Sequence, residues 1–406
     1  MTLPKHLILL SLLSGSLANA SADSAGRRFD FLPGGDSPTN VYSSAAGFGF
    51  EPGATITSLP DGGVTDDKPF YFSIALPEGN HRVTVTFGNK SGTSANTVKA
   101  EARRLMLENV TTAKGETVTR SFTVNTRTVG YPGGKVHLKG NELTNETVTW
   151  DDKLTIEFNG GHAVVRSLEF APDTNVATIF IAGDSTVCDQ PREPWNSWGQ
   201  MLPRFFNAQV AVANYARSGE SIKSSLGAHR FEKIFSVIRP GDFLLLQFGH
   251  NDMKDKATNA LAIYQTNLKK LVAAARAKGA TPVLVTSMER KAGVNSNTLG
   301  RYPDTVRAVA AEDGVPLVDL NVMSLKFYRA LGADLDRAFQ DGTHHNNYGS
   351  YELARCVVEG VRAAVPALAR FIASDAAQFN PEHPDSPKTF VMPSSLLRDI
   401  TKPEGN

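Results

Sequence analysis

Four short polar segments of the chain carry the residue types that nucleophilic catalysis needs. They are Gly183-Asp184-Ser185-Thr186, Ala216-Arg217-Ser218-Gly219, Gly249-His250-Asn251-Asp252 and Asp341-Gly342-Thr343-His344. A serine hydroxyl becomes a nucleophile only when a positioned base takes its proton, and a histidine oriented by an aspartate is such a base. The segments therefore predict acyl transfer, with Ser185 as nucleophile, His344 as base and Asp341 as the residue that orients the imidazole.

An acyl-transfer site also needs hydrogen-bond donors for the negatively charged oxygen of its tetrahedral intermediate. The backbone N–H groups of Ser185 and Gly219 and the side-chain amide of Asn251 are the predicted donors. Glycine suits such a position because the absence of a Cβ lets its backbone approach a ligand closely. These three groups together predict an oxyanion hole.

Each segment alone has an ordinary alternative. Gly-Asp-Ser is a common turn with a helix cap, and Asp-x-x-His could be a cap beside a surface histidine. The pair His344-His345 could suggest a metal site, but no third ligand with suitable spacing accompanies it. The joint occurrence of all four segments, each after an apolar run, favours catalysis without a metal or an organic cofactor.

The elements that must position these segments lie after residue 172, where apolar strand runs alternate with helical stretches. The strand runs cover residues 178–182, 210–215, 243–248, 282–286 and 316–320, and the clearest helical stretches cover residues 257–278 and 348–365. This alternation predicts a parallel sheet with helices on both faces. Because ligands bind beyond the carboxyl ends of such strands, the polar segments are expected to meet at one edge of the sheet.

Between residues 28 and 170 the apolar pattern has a period of two instead. Val83, Val85 and Phe87 alternate with polar residues, and turn-forming segments rich in Pro, Asp and Gly separate such runs. No long helical period is found in this part. The pattern predicts an antiparallel β-sandwich of about 145 residues.

Composition excludes several classes of protein. The 406 residues include 42 Lys and Arg against 41 Asp and Glu, so a net charge of +1 gives no bulk basic field for nucleic acid. The 41% hydrophobic content excludes a mostly disordered chain. Two cysteines are too few for a disulfide scaffold, and whether Cys188 and Cys356 pair stays open. The oligomeric state stays open as well.

The first twenty residues have the pattern of a signal peptide. Lys5 and His6 precede an apolar run from Leu7 to Leu17, and Ala18-Asn19-Ala20 supplies small residues for cleavage. The run is shorter than the ~20 apolar residues of a membrane-spanning helix. The mature protein is therefore expected to be secreted or periplasmic, with no membrane partner after cleavage.

The four polar segments resemble those of the SGNH (GDSL-type) hydrolase superfamily, and within it those of the rhamnogalacturonan acetylesterases of carbohydrate esterase family 12. The resemblance covers about residues 176–365. It implies a three-layer αβα, flavodoxin-like fold with a five-stranded parallel sheet. It also implies Ser185, Asp341 and His344 as the triad, and Gly219 and Asn251 as oxyanion donors. The preceding all-β part is similar to the galactose-binding-like sandwich that often precedes this domain in bacterial members.

Pattern and resemblance together give the expected domain organisation. It consists of a signal peptide at residues 1–20, a β-sandwich domain at 21–172, an SGNH hydrolase domain at 173–378 and a C-terminal tail at 379–406. The tail is rich in proline and charge, so an irregular segment on the surface is expected there.

The resemblance implies a secreted serine esterase that removes acetyl groups from plant cell-wall polysaccharide, with acetylated rhamnogalacturonan favoured. An acetylxylan esterase or a general small-ester esterase is the alternative with the same mechanism, and a non-catalytic carbohydrate-binding protein is the alternative of another class. Trp195 is a candidate for stacking on a sugar, although packing of a helix start explains it equally well. His250 is a candidate pocket residue. No basic cluster for an anionic polymer is found, only scattered cations: Lys254, Arg290 and Lys291.

Overall fold

The computed structural model describes residues 26–33, 39–144 and 148–403. The predicted signal peptide, residues 1–20, lies outside these residues. Within the described residues, no helix has the length and apolar character needed to cross a membrane.

The N-terminal region, residues 26–172, is built from β-strands that pair antiparallel. The strands are β1 (Arg27–Asp30), β2 (Phe48–Phe50), β3 (Thr57–Ser58), β4 (Val64–Thr65), β5 (Phe70–Ala75), β6 (Gly79–Phe87), β7 (Ser94–Ala100), β8 (Arg104–Thr112), β9 (Val118–Thr126), β10 (Gly130–Tyr131), β11 (Gly134–Lys135), β12 (Lys153–His162) and β13 (Val165–Pro172). One sheet has the order β9-β6-β13-β4-β3, with β1 also on β13, and the other has the order β2-β5-β12-β7-β8.

The two sheets face each other across a shared apolar cluster. Val83 and Val85 of β6 are completely buried, and so are Phe72 and Ile74 of the opposite sheet. Alternate residues of a strand point to opposite faces, so the period of two in the sequence places one face of each strand in this core. The N-terminal region is therefore rich in β-strands that share a core, and the galactose-binding-like sandwich domain stays a prediction.

The C-terminal part alternates strands and helices. Its strands are β14 (Ala177–Gly183), β15 (Val210–Asn214), β16 (Phe243–Gln247), β17 (Thr281–Val285) and β18 (Leu317–Val318). Its helices are α1 (Trp198–Met201), α2 (Ile222–Gly227), α3 (Arg230–Val237), α4 (Ala260–Ala277), α5 (Tyr302–Glu312), α6 (Leu320–Leu331), α7 (Asn347–Ala364) and α8 (Pro366–Ala369).

The five strands β14 to β18 form a parallel sheet between two helical layers. Helices α1, α6, α7 and α8 pack on one face, and helices α2 to α5 pack on the other. The predicted three-layer αβα fold is therefore confirmed. The spatial order β15-β14-β16-β17-β18 is the flavodoxin-like order, which places the ligand crevice beyond the carboxyl ends of β14 and β16, where the strand order reverses.

The parallel sheet is continuous with one sheet of the N-terminal region. Strand β15 pairs parallel with β9 through Val212 and Val124, and the chain passes from β13 to β14 across residues 173–176. The sequence pattern did not predict this joining. It places the N-terminal region directly beside the loops that follow the parallel strands.

The C-terminal tail is irregular, as predicted, but it is not confined to the surface. Lys99 Nζ of β7 donates to the carbonyl oxygen of Pro393 at 2.8 Å and to Ser395 Oγ at 2.7 Å. Ser395 is buried, so the expected surface position is wrong at this point. The tail thereby links the N-terminal region to the loop at residues 189–195.

Candidate active site

Ser185, His344 and Asp341 form one hydrogen-bonded chain, although 159 positions separate the serine from the histidine. Ser185 Oγ lies 2.8 Å from His344 Nε2, and His344 Nδ1 lies 2.9 Å from Asp341 Oδ2. Ser185 is 3% exposed and His344 is 1% exposed. In this geometry the serine hydroxyl can donate to Nε2 while Nδ1–H donates to the carboxylate, which is the arrangement that activates a serine.

The turn after β14 presents the Ser185 side chain. Asp184 Oδ1 accepts from the backbone N–H of Thr186 at 2.9 Å and from its hydroxyl at 2.7 Å. Burial opposes ionisation of Asp184, but the charge and hydrogen bond of His250 and the donors of Thr186 outweigh it, so the pKa of Asp184 is lowered. Gly183 is required because a Cβ there would lie 2.7 Å from the carbonyl oxygen of Gln247. The turn is therefore held by its own hydrogen bonds, by β16 and by the loop that follows β16.

Asp341 orders its own loop as well as the imidazole. Its Oδ1 accepts from the backbone N–H groups of Thr343 and His344, both at 2.7 Å. Burial opposes ionisation of Asp341, but the hydrogen bonds and the charge of His344 outweigh it and hold the pKa of the carboxyl well below its usual range. The carboxylate thus remains ionised and can orient Nδ1–H of His344.

The loops that carry the predicted oxyanion donors are hydrogen-bonded in series. The backbone N–H of Arg217 donates to the carbonyl oxygen of Gly183 at 3.1 Å, which joins the second loop to the first. Asn251 Nδ2 donates to the carbonyl oxygen of Glu220 at 3.1 Å, which joins the third loop to the second. The three loops therefore form one rim at the carboxyl ends of β14, β15 and β16.

Donor groups on this rim are available to a ligand. No acceptor among the described residues takes a hydrogen bond from the backbone N–H of Ser185 or of Gly219. Gly219 has φ +77°, a conformation that favours glycine. Asn251 Oδ1 accepts from Lys254 Nζ at 2.9 Å, which orients the amide so that Nδ2 is the group on the Glu220 side.

Trp195 and His250, the two predicted substrate contacts, are almost completely buried. Trp195 is 4% exposed, its Nε1 donates to the carbonyl oxygen of Asp399 at 3.0 Å, and its ring packs edge-on against His344. His250 is 3% exposed and lies between Asp184 Oδ2 at 3.3 Å and the carbonyl oxygen of Met288 at 3.0 Å. Both side chains therefore pack against the triad loops, and contact of either with a substrate stays a prediction.

The neighbouring histidines do not share a ligand position. His345 Nε2 lies 3.0 Å from the hydroxyl of Tyr328, whereas His344 faces Ser185. Burial, with smaller charge effects from His344 and His250, lowers the pKa of His345 to about 3. Across the described ranges, no three His, Cys, Asp or Glu side chains stand close enough to hold a metal ion.

The cysteine pair that the sequence left open is not bridged. Cys188 and Cys356 are both free and buried. Cys188 Sγ lies 3.4 Å from Ser218 Oγ beneath the site, and burial raises the pKa of its thiol to about 12. Cys188 is therefore a packing residue of the first loop.

Two supporting residues were not identified from the sequence. Gln190 Nε2 donates to the carbonyl oxygen of Ser185 at 2.8 Å, and Glu142 of the N-terminal region accepts from Arg217 Nε at 3.0 Å. Gln190 lies five positions after Ser185, so its proximity to the first segment was the available signal. Glu142 gave no such signal, because a glutamate in a polar loop has the pattern of a solvated residue.

Asp252 is a buried carboxyl whose ionisation is unfavourable. Its Oδ1 accepts from the backbone N–H of Ile222 at 2.9 Å, so the Asp252 side chain holds the first residue of α2. Its Oδ2 has no hydrogen-bond partner among the described residues. Burial, with the charge of Asp184 as a smaller cause, raises the pKa of Asp252 to about 7.

This raised pKa predicts a pH-dependent effect of Asp252→Asn on stability. An unfolded aspartate titrates near ~3.9, so between about pH 4 and pH 7 the folded chain retains a proton that the unfolded chain releases. The carboxylate therefore destabilises the fold progressively as the pH rises through this window. We expect the free energy of unfolding of Asp252→Asn, relative to that of the wild type, to rise by on the order of 1 kcal/mol from pH 4.5 to pH 8.

The measurement is urea unfolding at both pH values, with Asp255→Asn as the matched control. Asp255 is an exposed aspartate on the same loop, so its substitution should change the free energy of unfolding equally at pH 4.5 and pH 8. If the free energies of unfolding of Asp252→Asn and wild type differ by the same amount at both pH values, the prediction is contradicted.

Comparisons with known proteins identify a matching family and several similar proteins. Residues 181–351 match the model of the GDSL-like Lipase/Acylhydrolase family. The rhamnogalacturonan acetylesterase RhgT of Bacillus subtilis is 37% identical over 205 residues, which cover 45% of this chain and 88% of RhgT. YxiM of Bacillus subtilis, named an uncharacterized esterase, is 27% identical over 390 residues, covering 88% of this chain and 96% of YxiM. The crystal structure of YxiM is 24% identical with a TM-score of 0.47, and the match covers 84% of this chain and 98% of that one.

Proposed function

Because the chain belongs to the GDSL/SGNH hydrolase family and is a carboxylic ester hydrolase, we propose that it removes acetyl groups from a polysaccharide. Acetylated rhamnogalacturonan of the plant cell wall is the proposed substrate, and the name of the relative RhgT supports this choice. The observation that carries the proposal is the chain of hydrogen bonds at 2.8 and 2.9 Å from Ser185 through His344 to Asp341.

The proposed reaction begins with attack on the acetyl group. Ser185 Oγ adds to the acetyl carbonyl carbon while His344 Nε2 takes the hydroxyl proton. Asp341 stabilises the resulting imidazolium by its charge and its hydrogen bond at Nδ1. The carbonyl oxygen becomes an oxyanion, which accepts from the N–H groups of Ser185 and Gly219 and from the amide of Asn251. Each such donor typically contributes about 3–4 kcal/mol to the transition state.

The intermediate then collapses in the direction of the sugar. The bond between the acetyl carbon and the sugar oxygen breaks, and His344 returns its proton to that oxygen, which leaves as a hydroxyl. A water molecule attacks the acetyl-enzyme in the same way, with His344 as base, and acetate leaves as Ser185 regains its proton. The cycle uses only groups of this chain and water. The proposal includes export of the mature enzyme, which the signal-peptide pattern of residues 1–20 supports.

Two cations beside the oxyanion donors suit an anionic polymer. Lys254 Nζ lies 2.9 Å from Asn251 Oδ1, and Arg290 Nη2 donates to the carbonyl oxygen of His250 at 3.3 Å. Burial, and then the positive charge of Arg290, lowers the pKa of Lys254. A uronate carboxylate near the acetylated sugar would be attracted to this corner.

The substrate proposal predicts faster acetate release from acetylated rhamnogalacturonan than from acetylated homogalacturonan or acetylated xylan. Charge attraction also predicts that Arg290→Gln raises KM on rhamnogalacturonan about fivefold, which corresponds to roughly 1 kcal/mol. The neutral ester p-nitrophenyl acetate should be turned over at an unchanged rate. Acetate release and p-nitrophenolate release are the two measurements.

Lys291→Gln is the matched control for this experiment. Lys291 is adjacent in sequence, but its Nζ pairs with Asp336 Oδ1 at 3.0 Å, away from Asn251. Its substitution should leave KM on the polymer within twofold of wild type. Faster acetate release from xylan than from rhamnogalacturonan would contradict the substrate proposal and leave the esterase mechanism intact.

A further inference from the structure

The turn between β7 and β8 belongs to the N-terminal region but is buried against the C-terminal part. We call this turn, Glu101, Ala102 and Arg103, together with Arg104, the first residue of β8, the inserted turn; none of the four is more than 5% exposed. Arg104 Nη1 donates to the carbonyl oxygen of Val212 in β15 at 3.0 Å, and its Nε lies 3.3 Å from Asp189 Oδ2. The turn therefore enters the other part of the protein with its charges paired.

Arg103 is the residue of the inserted turn that reaches the active-site loops. Its Nη1 donates to the backbone carbonyl oxygens of Gln190 and Trp195, both at 2.9 Å. Its Nη2 donates to Asn347 Oδ1 at 3.2 Å and pairs with Glu193 Oε1 at 3.0 Å. One guanidinium group thus joins the loop after Ser185 to the start of α7.

Two of these partners, Gln190 and Trp195, contact the residues of the proposed triad. Gln190 donates from Nε2 to the carbonyl oxygen of Ser185 at 2.8 Å. The Trp195 ring packs edge-on against the His344 imidazole with centroids 5.7 Å apart. Movement of the segment 190–195 would therefore displace the nucleophile and the base relative to each other.

The inserted turn is held in a conformation that is costly by itself. Glu101 has φ +55° and Arg103 has φ +64°, which non-glycine residues rarely adopt. Such backbone strain persists where surrounding contacts over-determine it, and these positions cluster at functional sites. A buried arginine also needs partners for its charge, and Glu193 with two carbonyl oxygens supplies them to the Nη1 and Nη2 atoms.

We propose that Arg103 is a positioning residue for the esterase reaction. The N-terminal region supplies this side chain to hold Ser185 and His344 at hydrogen-bond distance, so that region completes the active site. The inference rests on the proposed Ser-His-Asp mechanism and adds to it a role for a residue outside the hydrolase fold.

The test is Arg103→Met in the full-length chain, assayed on p-nitrophenyl acetate. A displacement of about 1 Å between reacting groups can reduce a rate by roughly 10²-fold. We expect kcat to fall 10- to 100-fold with KM within threefold of wild type, because the small substrate makes no contact with Arg103. The kcat is normalised to the number of Ser185 side chains that a serine-directed phosphonate labels to completion.

Arg82→Met is the matched control. Arg82 also joins the two parts of the protein, with Nη2 2.9 Å from the carbonyl oxygen of Ala208 and 2.6 Å from Asp173 Oδ2, at the amino end of the parallel strands. If Arg103 and Arg82 only hold the two parts of the protein together, both variants should have the same normalised kcat. Positioning predicts a loss for Arg103→Met alone, and equal values for the two variants would overturn the inference.

Arg103→Lys keeps the experiment decisive if the methionine variant does not fold. A lysine retains the charge opposite Glu193 but cannot span both carbonyl oxygens and Asn347, so an intermediate kcat is expected. A wild-type kcat in Arg103→Lys would also overturn the inference. Absence of Ser185-dependent turnover in the wild type would instead refute the proposed mechanism on which the inference rests.

Discussion

Replacing Ser185 by alanine should reduce kcat/KM for p-nitrophenyl acetate at least about 10⁴-fold, to near the uncatalysed rate. The variant loses the hydroxyl that lies 2.8 Å from His344 Nε2, while the predicted oxyanion donors stay in place. The fold should persist because alanine removes a single oxygen atom without leaving a buried charge. Initial rates and the thermal unfolding midpoint measure the two effects.

Ser218→Ala is the control for this experiment. Ser218 is also a buried serine of the rim, next to Gly219, but its Oγ faces Cys188 Sγ at 3.4 Å and not His344. Its substitution should leave kcat/KM within tenfold of wild type. Equal rates for wild type and Ser185→Ala would refute the assigned nucleophile. A wild type that binds the polysaccharide without hydrolysing any ester would favour the non-catalytic alternative.

Asp341→Asn is expected to lower kcat roughly 10³- to 10⁴-fold while the loop keeps its shape. An asparagine oxygen can still accept from the N–H groups of Thr343 and His344, the contacts that order the loop. Its amide nitrogen would then face His344 Nδ1 and favour the tautomer with the proton on Nε2. That tautomer presents a donor to Ser185 and cannot act as its base.

The matched control is Asp336→Asn. Asp336 is an exposed aspartate just before this loop that pairs with Lys291, so its substitution should leave kcat within twofold of wild type. Steady-state kinetics together with thermal unfolding separate a loss of the base from a loss of the fold. A kcat for Asp341→Asn within tenfold of wild type would show that another group orients the imidazole.

The rim of the site was predictable because it depends on short-range pattern and one rule of topology. Ser185 and Asn251 each follow an apolar run, and the carboxyl ends of parallel strands meet at the same edge of a sheet. Asp341 and His344 are three positions apart, so their contact needs only a local turn. These features depend on residue type and spacing, which can be read from the sequence without knowledge of the tertiary contacts.

The direction of a side chain was not predictable in the same way. Trp195 and His250 adjoin the catalytic segments, and from the sequence both could equally face a ligand or the interior. Trp195 turns inward because the carbonyl oxygen of Asp399, 204 positions later, accepts its indole N–H. His250 turns inward because Asp184 and the carbonyl oxygen of Met288 lie on either side of its ring.

The sequence by itself predicted the chemistry that we propose for this protein: the nucleophile, the base and its orienting carboxylate, and the strand-helix alternation that brings them to one edge. Tertiary structure alone decided how the two parts join and that Arg103 is buried against the loops of Ser185 and His344. The physical reason is that arginine is ordinarily solvated, so its residue type predicts exposure. Burial becomes favourable only through partners such as Glu193, 90 positions later, which no local pattern specifies.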